Sequence, residues 1–169
     1  GTTHSSYVDQ DGNIVSLTQT INLFFASGVT IPGYGILMND EMDDFVPIPG
    51  HPNSIGPRKR PISSMSPSIV LKDGKPFLSL GSPGSTRIIT ALPQILMNIV
   101  DYGMDLQQAI NAPRIHCTGG AIELESRIPQ PVQEALRAKG HQVTVKGPMD
   151  LYFGGAQAVL MDPQTGKLY

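Results

Sequence analysis

The chain has 169 residues, of which 40% are hydrophobic and 15% charged, a balance that excludes a disordered protein and fits one domain. Its 18 glycines and 15 prolines predict a fold rich in turns. A formal charge of −2 gives no electrostatic footprint for nucleic acid, and a single cysteine excludes both an intrachain disulfide and a metal site built on cysteines.

No apolar run approaches the roughly 18 residues that a membrane-spanning helix needs. The start of the chain also lacks the charged segment and apolar stretch of a signal peptide. We therefore expect no membrane segment in this chain, and any export signal would lie elsewhere.

The chain is predicted to begin with a β-hairpin. Residues 2–9 and 14–25 favour strands, and residues 10–13 (QDGN) between them favour a turn. After a loop at 28–35, residues 39–67 are dense in Asp, Asn, Pro and Ser. An irregular stretch of that length is typical of a functional or a disordered segment.

A second hairpin is predicted from residues 68–71 and 76–80, which flank the turn sequence KDGK. Residues 81–85 (GSPGS) then form a tight loop. Apolar residues at helical spacing predict a helix over 86–101, which Pro93 should kink or divide. A shorter helix is predicted over 105–112 and ends before a proline.

The remaining residues are predicted to alternate between strands and one helix. Strands are expected at 122–125, 142–146 and 156–161, and a helix at 131–139. A turn at 163–166 should lead into a last short strand. This order of elements indicates an α+β layered fold.

Three segments have both a functional and a plain interpretation. Residues 81–85 join a strand to a helix, so their N–H groups either stabilise an oxyanion or form an ordinary turn. The hydroxyls of residues 63–66 follow the basic residues 58–60 and either bind a carboxylate or belong to a solvated loop. Residues 41–44 (EMDD) suit an ammonium group, a metal ion or a solvated acidic loop.

The histidines have no metal-ligand spacing and are not assigned to catalysis; they are His4, His51, His116 and His141. Cys117 is interpreted as a buried thiol rather than a nucleophile. The sequence also lacks the common hydrolase, zinc-protease and phosphate-binding motifs.

Thr2 is the most informative residue, because a terminal threonine can use its own α-amine as the base that activates its hydroxyl. This chemistry requires a free amine at Thr2. Gly1, however, precedes it in the chain.

Several separated motifs together resemble one family. They are residues 2–4 (TTH), 11–13 (DGN), 35–37 (GIL), 42–45 (MDDF), 59–67 (KRPISSMSP) and 81–84 (GSPG). In this order they resemble the small, catalytic subunit of the γ-glutamyltranspeptidases, which are N-terminal nucleophile hydrolases. The resemblance extends over essentially the whole chain.

The resemblance implies a precursor that cleaves itself before Thr2 and leaves two chains folded together as a four-layer αββα sandwich. The partner would be the large subunit of the same precursor. Thr2 would attack the γ-carbonyl of a γ-glutamyl compound such as glutathione, and water or an amine acceptor would resolve the acyl-enzyme. No metal or organic cofactor is implied, and many relatives are exported, which favours a secreted or periplasmic location.

The resemblance also assigns roles to matching residues. Thr20 matches the threonine that hydrogen-bonds the nucleophile, and Gly84 and Ser85 match the two oxyanion-hole amides. The residues that match the substrate-binding groups are Asn22, Glu41 and Asp44 for the α-amino end and Ser63 and Ser64 for the α-carboxylate. An arginine from the large subunit would complete the carboxylate site.

Three features depart from the family pattern. Ser85 replaces a usual glycine and crowds a place where a positive φ could be required. Only 13 residues separate Asp44-Phe45 from Lys59, which looks short for a lid loop and suggests an open cleft for bulky or polymeric substrates. Gly1 stands where the last precursor residue would be, so that either the chain begins one residue early or its amine is blocked.

Three other functions are left open. An acylase for glutaryl-type amides, such as cephalosporin acylase, or an enzyme for poly-γ-glutamate would use the same nucleophile. A non-enzymatic member would bind γ-glutamyl ligands or a partner only.

Overall fold

The computed structural model describes all residues, 1–169, and contains eight strands, three α-helices and three short 3₁₀ helices. The strands are β1 (Thr2–Val8), β2 (Ile14–Thr20), β3 (Ser68–Lys72), β4 (Lys75–Gly81), β5 (Ile115–His116), β6 (Ile122–Glu125), β7 (Val143–Lys146) and β8 (Gln157–Leu160). The α-helices are α1 (Ile88–Val100), α2 (Leu106–Asn111) and α3 (Gln130–Ala138), and the 3₁₀ helices are Glu41–Asp44, Ser85–Arg87 and Leu151–Phe153. This composition confirms the α+β class.

The first hairpin forms as predicted, but its second strand is shorter. β1 and β2 pair antiparallel with Thr2 opposite Thr20. The predicted strand over 14–25 ends at Thr20 because Asn22, at φ +67°, turns the chain out of the extended conformation. The apolar residues beyond the turn stay outside the sheet, and Phe24 is 89% exposed.

The second hairpin, β3–β4, is confirmed with a two-residue turn. Asp73 and Gly74 both have positive φ, at +52° and +76°, as a type I′ turn requires. β8 adds to the other edge of β4, which makes a three-stranded antiparallel sheet.

α1 is one continuous helix, so Pro93 does not divide it, which was one of the two predicted outcomes. Proline inside a helix costs about 3 kcal/mol. The buried face of α1 offsets this cost, since each fully buried aliphatic side chain contributes about 1.5–3 kcal/mol. That face packs against Leu78 and Leu80 of β4 and consists of Ile88, Leu92, Ile95 and Ile99.

The third sheet has the order β5-β6-β7 and contains a strand that the sequence did not predict. β5 has only two residues and is held from outside by Gln94 of α1, whose side-chain amide accepts from Ile115 N–H at 3.0 Å and donates to Ile115 C=O at 2.9 Å. The strand predicted after residue 166 is a single bridge between Met161 and Leu168. None of the helices is both long and apolar enough to span a bilayer.

The elements stack in three layers. The β1–β2 hairpin lies face to face with the β3-β4-β8 sheet, and α1 and α2 cover the other side of that sheet. The outer face of the hairpin has no cover in this chain, where Tyr7, Val15 and Leu17 are 58%, 53% and 45% exposed.

Candidate active site

Thr2 and Thr20 face each other at the open end of the first hairpin. Their Oγ1 atoms lie 2.9 Å apart. Thr20 Oγ1 also accepts a hydrogen bond of 2.8 Å from Asn22 N–H. Because its acceptor capacity is partly used by that amide, the Thr20 hydroxyl is oriented rather than free to rotate.

The peptide bond between Gly1 and Thr2 is held at the same place. The Gly1 carbonyl oxygen accepts a hydrogen bond of 3.0 Å from Ile21 N–H and a longer one of 3.3 Å from Thr20 Oγ1. Both donors polarise this carbonyl next to the Thr2 hydroxyl. The Thr2 nitrogen is an amide in this chain, so it cannot serve as a base until that bond is cut.

An acidic turn, residues 40–44, lies beside the open end of the first hairpin. Asn22 donates through Nδ2 to Asp40 C=O at 3.5 Å, and the Asp40 carboxylate accepts from Leu23 N–H at 3.2 Å. Burial raises the pKa of Glu41, and the negative charges of Asp44 and Asp40 raise it further. Glu41 Oε1 is buried without a hydrogen-bond partner. The turn therefore presents unneutralised negative charge, which favours a cationic group.

The two predicted serines lie on the extended segment before β3. Ser63 Oγ accepts from Met65 N–H at 3.2 Å, and Ser64 C=O accepts from Ser66 Oγ at 3.1 Å. The hydroxyls of Ser63 and Ser64 form no hydrogen bond with Thr2 or the acidic turn. Within this chain they are a separate element of the site.

Asn53 connects the serine segment to the acidic turn, and sequence reasoning did not identify it. Its Nδ2 donates to Asp44 C=O at 2.7 Å, and its Oδ1 accepts from Ile62 N–H at 3.1 Å. One side chain thus fixes the separation of Asp44 and Ser63. Its position in the irregular stretch 39–67 was the only available signal.

The packing of β4 on β1 directs the Gly84–Ser85 loop toward the end of β1 at which Thr2 lies. Ser79 Oγ donates to Ser6 Oγ at 2.9 Å, and Gly81 lies against the His4 ring. Moving two residues toward the C-terminus of β4, from Ser79 to Gly81, thus corresponds to moving two residues toward the N-terminus of β1, from Ser6 to His4. The residues that follow Gly81 therefore lie near the start of β1.

The backbone at Gly84 and Ser85 has positive φ values of +136° and +53°. Neither N–H donates a hydrogen bond within the chain. Unpaired amides in a fixed loop are the donors that an oxyanion hole requires.

His4 is buried between the first hairpin and β4, a position that sequence reasoning did not identify. The ring is 3% exposed, with Nδ1 2.7 Å from Thr18 Oγ1 and Nε2 3.0 Å from Ser6 Oγ. Burial lowers its pKa, which keeps the ring neutral at pH 7. A Cβ added at Gly81 would overlap this ring and lie 2.6 Å from His4 Cγ.

The interpretation of Cys117 as a buried thiol is wrong. Cys117 is exposed, because it follows the two-residue strand β5 and lies in the turn that leads to β6. No group of three or more His, Cys, Asp or Glu side chains could hold a metal ion.

Comparison with known proteins identifies the family. The family model described as gamma-glutamyltranspeptidase matches residues 1–169. The chain is 43% identical over 180 residues to the glutathione hydrolase proenzyme of Escherichia coli strain K12, covering 99% of this chain and 30% of that protein. It is 44% identical over 162 residues to the acylase ACY 1 proenzyme of Pseudomonas sp. strain SE83, covering 96% of this chain and 28% of that protein.

The fold agrees with these matches. A crystal structure of a mutant γ-glutamyltranspeptidase from Helicobacter pylori superposes with a TM-score of 0.89 at 40% identity, covering 99% of this chain and 95% of that one. The fold class expected from the resemblance is therefore confirmed. With a family model that matches from its first residue to its last, this chain belongs to the γ-glutamyltranspeptidase family.

Proposed function

We propose that this chain is the catalytic part of an enzyme that transfers or hydrolyses γ-glutamyl groups, for example from glutathione, through a threonyl acyl-enzyme. One observation carries the proposal: the Thr2 hydroxyl lies 2.9 Å from Thr20 Oγ1, beside a Gly1 carbonyl held by Ile21 N–H. That arrangement suits a nucleophile that first releases its own amine.

The precursor cleaves itself between Gly1 and Thr2. The Thr2 hydroxyl attacks the Gly1 carbonyl carbon while Ile21 N–H stabilises the oxygen, and the acyl group moves from the Thr2 nitrogen to its hydroxyl oxygen, whose proton goes to that nitrogen. Water then hydrolyses the ester. The products are a carboxylate at Gly1 and a Thr2 with a free amine and hydroxyl.

Turnover uses the released Thr2. Its amine accepts the hydroxyl proton, and the oxygen attacks the γ-carbonyl of the substrate. The hydrogen bond with Thr20 orients the hydroxyl, and the free amides of Gly84 and Ser85 stabilise the oxyanion. Water or an amine acceptor then resolves the acyl-enzyme.

The α-ammonium and the α-carboxylate of the γ-glutamyl group share one carbon, at the end remote from the reacting γ-carbonyl, and different residues bind them. The carboxylates of Glu41 and Asp44, with the Asn22 side chain, bind the α-ammonium. The hydroxyls of Ser63 and Ser64 bind the α-carboxylate.

A large subunit from the same precursor completes this enzyme. The chain spans 30% and 28% of two relatives that are named as proenzymes. The exposed Tyr7, Val15 and Leu17 on the outer face of the first hairpin give that subunit an apolar surface to cover. The large subunit also supplies the arginine that completes the carboxylate site.

A glutaryl-type acylase is the second candidate, because an acylase proenzyme is among the relatives. A glutaryl group has no ammonium, so it would leave the raised-pKa carboxyl of Glu41 and its neighbour Asp44 without a cationic partner. These acidic residues favour the γ-glutamyl substrate. The short 44–59 connection keeps poly-γ-glutamate as a further substrate class.

The test begins with the intact masses of both chains after expression of the full-length precursor. A small chain that starts at Thr2 supports the proposal, whereas a chain that retains Gly1 contradicts it and favours a binding protein. Turnover of γ-glutamyl and glutaryl anilides is then compared. Faster turnover of the glutaryl compound would replace this proposal with the acylase.

Substitution of Asn53 by alanine should weaken substrate binding more than it slows chemistry. The variant loses two hydrogen bonds, each worth about 0.5–1.5 kcal/mol, and a loss of about 1.4 kcal/mol in substrate binding corresponds to an increase in KM of about tenfold. Steady-state kinetics with a γ-glutamyl anilide will measure this. An unchanged KM would show that Asn53 does not align the two substrate-binding segments.

Substitution of Ser85 by glycine should preserve turnover, because the backbone N–H remains. The variant relieves about 1–2 kcal/mol of left-handed strain at φ +53°, and the greater flexibility of glycine offsets about 0.5–1 kcal/mol of this gain. We expect equal or slightly higher stability in thermal unfolding. A large loss of turnover would instead assign a role to the serine hydroxyl.

A further inference from the structure

A short segment at residues 150–154 supports the Gly84–Ser85 loop from behind. Gly154 has φ +70°, and a Cβ added there would overlap the Pro83 carbonyl oxygen and lie 2.8 Å from Ser82 Oγ. A Cβ on Gly84 would in turn lie 3.5 Å from Gly154 Cα. The two backbones therefore touch directly, and only glycine at 154 permits this distance.

Arg87 attaches the other end of the loop to the same segment. Its Nε donates a hydrogen bond of 3.1 Å to Tyr152 C=O. Its guanidinium carbon also lies 4.5 Å from the centre of the Tyr152 ring, within the range of a cation–π interaction. The loop is thus fixed at both ends.

The supporting segment is itself anchored in the protein. The Asp150 carboxylate accepts from Gly147 N–H at 3.1 Å and from Tyr152 N–H at 2.9 Å. Phe153 is 2% exposed, and its carbonyl accepts from Arg114 Nη1 at 2.9 Å.

The neighbouring ion pair strengthens this anchor. The Glu125 carboxylate, in a side chain 1% exposed, accepts from Arg114 N–H at 3.2 Å and from Met149 N–H at 2.9 Å. It also pairs with Arg127. A segment with this many buried partners is rigid enough to impose a conformation on its neighbour.

We propose that Gly154 and Arg87 are positioning residues that hold the amides of Gly84 and Ser85 where the oxyanion develops. The inference rests on the proposed function of that loop. Ser85, at φ +53°, is strained, and such a conformation of a non-glycine residue persists only when its surroundings impose it. Within the loop, Arg87 N–H donates to Gly84 C=O and Ile88 N–H donates to Ser85 C=O, but neither bond involves the N–H groups of Gly84 and Ser85. We therefore assign the orientation of these two amides to the packing against residues 150–154.

The kinetic signature of this role is specific. Oxyanion donors act on the tetrahedral state and not on the bound substrate, so their displacement lowers kcat and leaves KM unchanged. If the two residues had a purely structural role, their substitution would lower the amount of folded enzyme or its thermal stability. It would not lower kcat selectively at an unchanged KM.

The experiment uses the full-length precursor with the substitution Gly154→Ala and the matched control Gly155→Ala. At Gly155 an added Cβ meets only Gln157 Nε2, at 3.9 Å. We expect Gly154→Ala to lower kcat for a γ-glutamyl anilide by about 100-fold with unchanged KM. Gly155→Ala should retain wild-type kinetics.

A boronic acid analogue of the γ-glutamyl group gives a second readout. The Thr2 oxygen adds to boron and its proton passes to the Thr2 amine, so a tetrahedral anion forms in the oxyanion hole. We expect affinity for this inhibitor to fall in parallel with kcat/KM, whereas affinity for glutamate stays constant.

Arg87→Met provides the same test if Gly154→Ala does not fold. Arg87→Met should lower kcat about tenfold, and Arg87→Lys, which keeps the cation near Tyr152, should recover part of the loss. Wild-type kcat in Gly154→Ala and in Arg87→Met, or a rise in KM alone, would overturn the inference. An inactive wild-type enzyme would instead refute the proposed function.

Discussion

Substitution of Thr2 by alanine is expected to leave the full-length precursor uncleaved and without turnover. The Thr2 hydroxyl attacks the Gly1 carbonyl in the proposed self-cleavage, and it is also the nucleophile of the proposed acyl transfer. Intact mass would show one chain in place of two. Release of anilide from a γ-glutamyl anilide would be absent.

Two variants make this prediction selective. Thr2→Ser keeps the hydroxyl and should cleave and turn over at a reduced rate. Gln10→Ala alters an exposed side chain in the hairpin turn, at the far end of β1 from Thr2, and should behave as wild type. Full activity in Thr2→Ala would refute the assignment of the nucleophile.

Substitution of Gly81 by alanine should displace β1 from β4 and disturb Thr2 with it. The added Cβ would overlap the His4 ring, which is buried and hydrogen-bonded to Thr18 and Ser6. Overpacking of this kind costs about 1–3 kcal/mol. We expect a lower melting temperature of the precursor and slower self-cleavage.

The control for this prediction is Gly120→Ala, where an added Cβ meets no atom within 4 Å. A double variant tests the cause. If steric overlap with His4 is responsible, His4→Ala combined with Gly81→Ala should be less destabilising than the sum of the two single variants. Strict additivity would show that the ring and Gly81 do not interact.

The sequence predicted those elements whose signals are local. The Asp73-Gly74 turn and the proline that follows α2 each act within a few residues, so both positions were correct. The end of β2 was predicted wrongly. The apolar residues after Thr20 continue a strand pattern in the sequence, but the turn at Asn22 interrupts the strand.

Other errors arose from contacts between distant residues. β5 pairs with β6 and is also held by Gln94, which binds Ile115 across 21 residues, and no pattern in a two-residue strand shows these contacts. Pro93 does not divide α1 because tertiary packing outweighs its local cost.

The site was predictable only in part for the same reason. The family resemblance assigned Thr20 as the partner of Thr2, and the register of the first hairpin places these two residues opposite each other. Asn53 and Gly154 act through their spatial partners, Asp44 and Pro83, and thus left no signature in the sequence. The assigned roles of Gly84, Ser85 and the substrate-binding residues stay predictions until the variants are measured.

The uncovered outer face of the first hairpin has a consequence for the lifetime of the mature enzyme. Only 18 of the 169 residues are buried in this chain, and the apolar side chains of Tyr7, Val15 and Leu17 face outward. Suppose that another part of the precursor covers this face before self-cleavage. After cleavage that part and this chain are separate polypeptides, so unfolding of the mature enzyme lets them come apart. We therefore expect heat inactivation of the cleaved enzyme to be irreversible and to depend on scan rate, whereas the uncleaved Thr2→Ala precursor refolds on cooling.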